Sequence, residues 1–396
     1  MRRIVLLGIG HTNAEVVRRW ADDPIHDCEL VCVSNFPTVT YSGMLPGTLG
    51  DQFGEVEMRI DLERLARRAG AELVIAETIG LDRDVGALTF ADHPSIRFDA
   101  LSVGVGSMPV GWQEHRAVPH VVPIKPMQTF LRRLEACLRS ASKPPDGILR
   151  VAIVGGGVAS VEVALCLQQH WKHWLKRESP QPSLAISILT RSPRVAKGMT
   201  DRSVRRIEKL LADRAIRVIP EVAVTGTDGR SVITEGRETH AADCVIWATG
   251  AGAPPVLQNL GLETDERGFL ATDPTMQSLT DPRVFAVGDA GTIVRAPAAK
   301  AGVHAVRQAP VLWDNLHALI EGRPLRPYQP QSVFLKILNT GDGKGLLERG
   351  RWTFYGRWCW HLKTWIDRRF VGQFPRPSRS GPASSGGREE RPGDLR

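Results

Sequence analysis

The stretch "LRVAIVGGGVASVEVALCL" (Leu149–Leu167) opens as a β-rich apolar run and closes with apolar residues at helical spacing, and Gly155, Gly156 and Gly157 stand where the period changes. It has an earlier counterpart. In "RRIVLLGIGHTNAEVVRRW" (Arg2–Trp20) the same change of period falls on Gly8 and Gly10. A further apolar run follows each, "CELVCVSN" (Cys28–Asn35) after the first and "LAISILT" (Leu184–Thr190) after the second. Strand, glycine turn, helix and strand make a βαβ unit, so two such units in tandem predict two nucleotide-binding domains.

At the first turn, Gly8 and Gly10 allow the tight bend and close backbone approach that aim a helix N-terminus at a pyrophosphate. Asn13 holds the position where the pattern wants Gly or Ala, and this larger residue is expected to loosen helix–strand packing or shift the helix. The second turn has the small Ser160 there. Glycines at a strand end also serve any sharp turn, and it is the repetition in βαβ context that gives them weight. An adenosine ribose is commonly held by an acidic residue closing the next strand. Here those positions are Ser34 with Asn35, and Thr190 with Arg191 and, further on, Arg194. Neutral side chains bind a ribose less strongly. Arginines suit a 2′-phosphate, or they are merely solvated, so NADH and NADPH both stay open.

Composition allows two or three domains: 396 residues, 42% apolar and 24% charged. The excess of 51 basic over 43 acidic residues gives +8, which favours anionic partners only generically. No nucleic-acid partner is expected. The six cysteines, Cys28, Cys32, Cys137, Cys166, Cys244 and Cys359, show no CxxC or metal-type spacing and read as buried thiols in a reducing compartment. No metal is expected. The apolar N-terminus runs straight into a glycine turn, so it reads as a first strand and not a signal peptide. No window approaches the roughly 18 apolar residues of a membrane span.

The Ser-, Pro- and Gly-rich "SASKPPDG" (Ser140–Gly147) reads as a linker. "RVFAVGDAG" (Arg283–Gly291) begins a stretch outside the second unit, which implies a first domain interrupted by a second and completed afterwards. From Arg349 the chain packs four tryptophans among basic residues, and from residue 375 it reads as a disordered tail.

"RVFAVGDAG" resembles the late flavin motif of the flavoproteins with two dinucleotide-binding domains. With "GIGH" and "GGGVASVEVAL" ahead of it, the chain resembles a pyridine-nucleotide-dependent FAD oxidoreductase over Arg3–Leu316. "YSGMLPG" (Tyr41–Gly47), "SVGVGSMP", "PIKP", "KAGVHAVRQAPVLWDNL" and "GRPLRPYQPQ" resemble the type II NADH dehydrogenase branch. They are most similar to flavoproteins fused in some bacteria ahead of selenophosphate synthase. The implied fold is α/β, with two Rossmann-like, three-layer ββα domains, the NAD(P) domain inserted in the FAD domain, and a C-terminal basic aromatic segment. The corresponding boundaries are 1–140 and 266–330 for the FAD domain, 141–149 for the linker, 150–265 for the NAD(P)H domain and 331–374 for the C-terminal region.

By this resemblance Gly8, Gly10 and His11 would face the FAD pyrophosphate, Ser34 and Asn35 its adenosine, and Leu45 and Pro46 its isoalloxazine. Asp289, after Gly288, would take a ribityl hydroxyl. A helix starting near Lys300, Ala301 and Gly302 would point its positive end at the flavin N1–O2 edge. Gly155 and Gly157 would hold the NAD(P)H pyrophosphate, Thr190 and Arg191 would lie at its ribose, Glu162 would approach the nicotinamide amide, and Thr249, Gly250 and Ala251 would close over it. No catalytic acid or base is expected, because hydride transfer is the cofactors' own chemistry. His304 and His120 read as helix-face or loop histidines and not proton relays, with His304, close in sequence to the flavin helix, a secondary suspect.

"YSGMLPG" carries no cysteine, whereas disulfide reductases need two beside the flavin. Cys137 and Cys359 are the only loosely placed candidates for sulfide:quinone chemistry. The expectation is an FAD-dependent NAD(P)H dehydrogenase passing electrons to a quinone-like acceptor, cytoplasmic or peripheral on the inner face of the cell membrane. Trp358, Leu362 and Trp365, with Arg357, Lys363, Arg368 and Arg369, read either as a helix on an anionic membrane surface or as an aromatic stripe packed on the body. Two alternatives stand beside this one: a selenium or sulfur compound as acceptor, and a low-turnover redox sensor.

Overall fold

A computed structural model describes residues 1–174 and 182–377. The expected tail lies, from residue 378 on, outside the described residues.

Two five-stranded parallel sheets organise the chain. In the first, the strands run in the order Val284–Ala286, Ala100–Val103, Arg2–Leu7, Cys28–Ser34, Glu72–Ile75. In the second the order is Val121–Pro123, Cys244–Trp247, Ile148–Val154, Ser183–Leu189, Arg217–Ile219. Their central strands are near-continuous apolar runs because helices or smaller sheets cover both faces. Ile4, Val5 and Leu6 in one, and Leu149, Ala152 and Ile153 in the other, are fully buried. Each parallel sheet is accompanied by a three-stranded antiparallel one, Thr78–Asp82, Ala87–Phe90 and Ile96–Arg97 in the first unit and Val224–Thr227, Ser231–Thr234 and Thr239–Ala241 in the second. This is the expected pair of Rossmann-like domains. The strand Val284–Ala286 returns to the first sheet after the whole second unit, pairing in parallel with Ala100–Val103.

One organisational expectation is corrected. The strand Val121–Pro123 pairs with Cys244–Trp247, and the helix Met127–Ser140 buries Phe130, Leu134 and Leu138 in the core that holds Val151 and Ile153. The second unit therefore starts before the Ser140–Gly147 stretch. That stretch is a turn between a helix and a strand of one unit, and the passage between sheets runs through Gly104–Pro109.

The C-terminal region forms a three-stranded antiparallel sheet, Lys336–Asn339, Gly345–Arg349 and Trp352–Gly356, and then a helix, Arg357–Val371. Leu338, Leu346 and Val371 join the core containing Leu45, Val161 and Cys166, which fastens this region to the second unit.

Candidate cofactor site

Register brings the glycine turns to the carboxyl edges of their sheets. Leu7 is level with Val33 and Val103, and Val103 with Ala286, so Gly8, Ser34, Gly104 and Gly288 emerge along one edge. Val154 is likewise level with Leu189 and Trp247, which places Gly155, Thr190 and Thr249 along the other. The two edges adjoin. Val110 O accepts from Trp247 Nε1 at 2.8 Å and from Thr249 Oγ1 at 2.7 Å, and Met108–Pro109 pairs with Ala251–Gly252. Ligands of open α/β sheets bind at carboxyl ends, so two ligands on these edges would meet at the seam.

In the first turn Gly8 has φ +77°, and a Cβ there would lie 2.7 Å from the Val105 backbone. The helix His11–Asp22 follows with Gly10 at its N-cap and no side-chain cap, leaving its first amides for a ligand. Asn13 is fully buried and does not loosen the turn as expected. Its Nδ2 donates to Gly8 O at 2.8 Å and Ser102 O at 3.3 Å, and its Oδ1 accepts from Ser102 Oγ at 2.8 Å. The amide staples turn to neighbouring strand. Room for it comes from Gly104, where a Cβ would stand 2.7 Å from Asn13 Nδ2. His11 packs edge-on to Tyr41, 5.2 Å between centroids, with Nε2 buried and unpartnered. Burial pushes its imidazole down to about 4, so it is neutral at neutral pH. Ser34 is buried in its own turn, donating to Phe36 O at 2.8 Å, while Asn35 is exposed.

Asp289 follows the strand Val284–Ala286 at this edge. Burial alone would raise its carboxyl, but Lys125, Ser107 and Lys300 outweigh that and hold it below the ordinary carboxylate range. The helix at this edge runs Gly302–Glu321 with Ala301 as N-cap, so Lys300 precedes it. Lys300 Nζ turns back to Gly291 O at 2.6 Å and Thr292 Oγ1 at 2.8 Å, above the Phe269 ring. Burial brings its ammonium down to about 8. Gly288, Asp289, Lys300, Ala301 and His304 line one recess. His304 is a buried neighbour of Tyr328 Oη at 3.1 Å, and His120 Nε2 lies 2.7 Å from Thr227 Oγ1.

In the second turn Gly155 has φ +118°, and a Cβ would meet Ala248 O at 2.3 Å. Gly156 makes room for Thr190, and Gly157 faces open space. Gly250 and Arg191 are exposed. Arg194 is not available as expected: it forms a two-pronged pair with Glu208 at 2.9 and 2.7 Å and reaches Asp201 at 3.2 Å.

The segment Tyr41–Gly47 lies between the units and under the C-terminal helix. Leu45 and Pro46 are buried in the short helix Leu45–Leu49, and Gly50, which caps it, packs on Cys166 of the helix Val158–Trp174. Tyr41 stacks on Phe370 at 4.9 Å and donates from Oη to Asp367 Oδ1 at 3.1 Å, while Lys363 Nζ donates to Gly43 O at 2.7 Å. Sequence reasoning missed this clamp, since Lys363 read as one of the charges of the C-terminal helix and Asp367 was not singled out. Glu162 joins the same region. Its Oε1 accepts from Asn339 N at 2.7 Å, and burial pushes its carboxyl up to about 7. All six cysteines are free thiols, five of them buried, and none lies in the Tyr41–Gly47 segment.

Residues 2–309 match the family described as pyridine nucleotide-disulphide oxidoreductase. The chain belongs to this family. Among curated relatives it is 22% identical over 392 residues to the NADH dehydrogenase-like protein YutJ of Bacillus subtilis, covering 96% of this chain and 97% of that one. It is 24% identical over 372 residues to the demethylphylloquinone reductase NdbB of Synechocystis, covering 87% of each. Among solved structures it resembles the sulfide:quinone oxidoreductase of Aquifex aeolicus, with TM-score 0.76, 19% identity and coverage of 94% and 91%. The NADH complex of NDH2 from Plasmodium falciparum gives TM-score 0.75 at 13% identity, covering 95% and 99%. At such identities these likenesses bear on the fold. As an oxidoreductase of this family the chain is expected to bind a flavin and a pyridine nucleotide. The residues present fit both: two turns where glycine is sterically required, uncapped amides at the first, and a half-buried carboxylate kept ionised.

Proposed function

We propose that the protein is an FAD-dependent NAD(P)H dehydrogenase that delivers electrons to a quinone-like acceptor without a redox-active disulfide. One observation carries this: the Tyr41–Gly47 segment, packed on His11 of the first unit and on the helix Val158–Trp174 of the second, contains no cysteine, and all six cysteines are free thiols. Bound together, nicotinamide and flavin supply the hydride chemistry. The chain's part is positional. Gly8, Gly10 and the first amides of the helix at His11 would hold the FAD pyrophosphate, Asp289 a ribityl hydroxyl, and Gly155 with Gly157 the NAD(P)H pyrophosphate. Leu45 and Pro46 would form an apolar wall excluding water from the seam, and neutral His11 adds no cation there. Glu162, with a carboxyl near neutrality, is able to hold or release a proton beside this wall at working pH.

The C-terminal region supports an acceptor that partitions into lipid. Trp352, Phe354, Trp358 and Trp365 are 58, 44, 52 and 60% exposed on adjoining strand and helix faces, with Arg351 beside Trp352 and Arg369 beside Trp365. Exposed tryptophans rimmed by arginine suit the headgroup layer of an anionic bilayer. The other side of the same helix carries Lys363, Asp367 and Phe370 against the Tyr41–Gly47 segment, while the tryptophans expected as a packed stripe, Trp358 and Trp365, face outward. No helix among the described residues is long and apolar enough to cross a membrane.

The test is anaerobic. Purified protein is expected to be yellow, to bleach with NADH or NADPH, and to regain colour with a short-chain quinone. Bleaching without reoxidation by quinone sinks the quinone reading, and colourless protein that takes up no FAD sinks the flavin reading. Replacing Trp358 and Trp365 by Ser should abolish co-sedimentation with phosphatidylglycerol vesicles, and unchanged sedimentation removes the lipid surface from the proposal.

A further inference from the structure

Three stretches of chain from both units meet at Asp289. Ser107 lies in the passage between the sheets, Lys125 follows the edge strand Val121–Pro123 of the second sheet, and Asp289 follows Val284–Ala286 of the first. Ser107 Oγ donates to Asp289 Oδ2 at 2.6 Å, and Lys125 Nζ donates to Ser107 Oγ at 2.7 Å and to Asp289 Oδ2 at 3.2 Å. The cluster is sheltered, with Ser107 buried and the Lys125 and Asp289 side chains 29 and 19% exposed. Both bonds to the carboxylate end on Oδ2, so Oδ1 takes no part in the latch.

The other cationic and titratable groups near Asp289 are engaged or neutral. Lys300 gives its ammonium to Gly291 O and Thr292 Oγ1, His11 is buried and uncharged, and His304 faces Tyr328. Among the described residues Lys125 is the cation paired directly with this carboxylate. A charge-assisted pair of this kind fixes geometry as well as charge, because one ammonium donates to two acceptors at once.

We propose that Lys125 is a cofactor-positioning residue: reaching across from the second unit, it orients Asp289 through Ser107 so that Oδ1 is presented to a hydroxyl of bound FAD. The inference rests on the flavin reading above and adds to it a residue of the nucleotide unit. Flavin affinity thereby depends on how the second unit sits against the first.

The test is titration of flavin-free apoprotein with FAD, followed by flavin fluorescence. Lys125→Met is expected to weaken binding about tenfold, the loss of one charge-assisted hydrogen bond. Lys125→Arg should recover most of it, and Ser107→Ala should weaken binding about threefold while leaving the charge in place. In an Asp289→Asn background Lys125→Met should add no more than about twofold, since the group it orients is already altered. Thermal midpoints of the apoproteins should agree within about 3 °C, which separates positioning from a general loss of stability. FAD affinity unchanged in Lys125→Met, or a full tenfold loss persisting in the Asp289→Asn background, overturns the inference while leaving the flavin reading intact. Wild-type apoprotein that takes up no FAD overturns the flavin reading itself.

Discussion

The two units solve one steric problem in different ways. Both must pack a helix closely against a neighbouring strand just past a glycine turn, and both place a polar residue where the common pattern has glycine or alanine. In the second unit Ser160 is small and donates to Ala248 O at 3.2 Å. In the first, Asn13 is larger, and its amide joins the turn at Gly8 to the strand at Ser102, while Gly104 gives up its side chain to admit it. A position that departs from a pattern is thus not a weakened position when a partner far along the chain has adjusted to it.

Their acidic groups differ as well. Asp289, on the first unit, is held ionised by a cation from the second. Glu162, on the second, is half-buried, with a carboxyl pushed up to about 7 by desolvation and a backbone amide as partner. The largest effect expected from this contrast is on stability against pH. An unfolded glutamate ionises near 4.5, so between 4.5 and about 7 the unfolded chain releases a proton that folded Glu162 keeps, and stability falls as pH rises through that window. Glu162→Gln keeps the acceptor for Asn339 N and removes the titration. The variant should match wild type at pH 4 and exceed it at pH 8 by up to about 3 kcal/mol in denaturant unfolding. An equal difference at both pH values would mean that folding does not raise the Glu162 carboxyl, and the contrast fails.

A smaller effect tests the glycine turns. Asn13→Ala strips Ser102 Oγ and the Gly8 carbonyl of a buried partner and should cost about 2 kcal/mol. Asn13→Gly restores the common pattern, yet it should also destabilise, because the site is built around the amide. Gly104→Ala alone forces a methyl to 2.7 Å from Asn13 Nδ2. With Asn13→Gly that neighbour is gone, so the double variant should be more stable than the sum of the two changes by about 1 kcal/mol. Additive losses would show that Asn13 and Gly104 do not accommodate one another.

These pairs mark where reading a sequence stops. The tandem units were legible because apolar periodicity and glycines at strand ends are local signals. "RVFAVGDAG" was legible through resemblance, and the strand in it does return to the first sheet. The membership of Val121–Pro123 was not legible, since a three-residue apolar strand carries no mark of which parallel sheet it will pair with. Nor was Asn13, whose partners Ser102 and Gly104 lie about ninety positions away. The C-terminal sheet left a trace that went unread: "KILNTGDGKGLLER" has the glycine-rich turn and flanking apolar runs of a hairpin. Its burial against Val161 and Cys166 depends on the tertiary fold alone.

The smallest expected effect concerns the ends of the second strands. Ser34 in the first unit is spent on its own turn, and Asn35 beyond it is neutral, so nothing there favours an added phosphate. At the matching place in the second unit Thr190 Oγ1 accepts from Ser192 N at 3.2 Å, and Arg191 beside it is exposed, whereas Arg194 is committed to Glu208 and Asp201. Any preference of this edge for a 2′-phosphate therefore falls on one solvated guanidinium, whose attraction is screened by water and salt. Arg191→Ala should raise KM for NADPH about threefold and leave KM for NADH unchanged, whereas Arg194→Ala should cost stability without separating the two nucleotides. If Arg194→Ala instead carries the discrimination, its pair with Glu208 opens to receive the nucleotide, and the second unit differs from the first in mobility as well as charge.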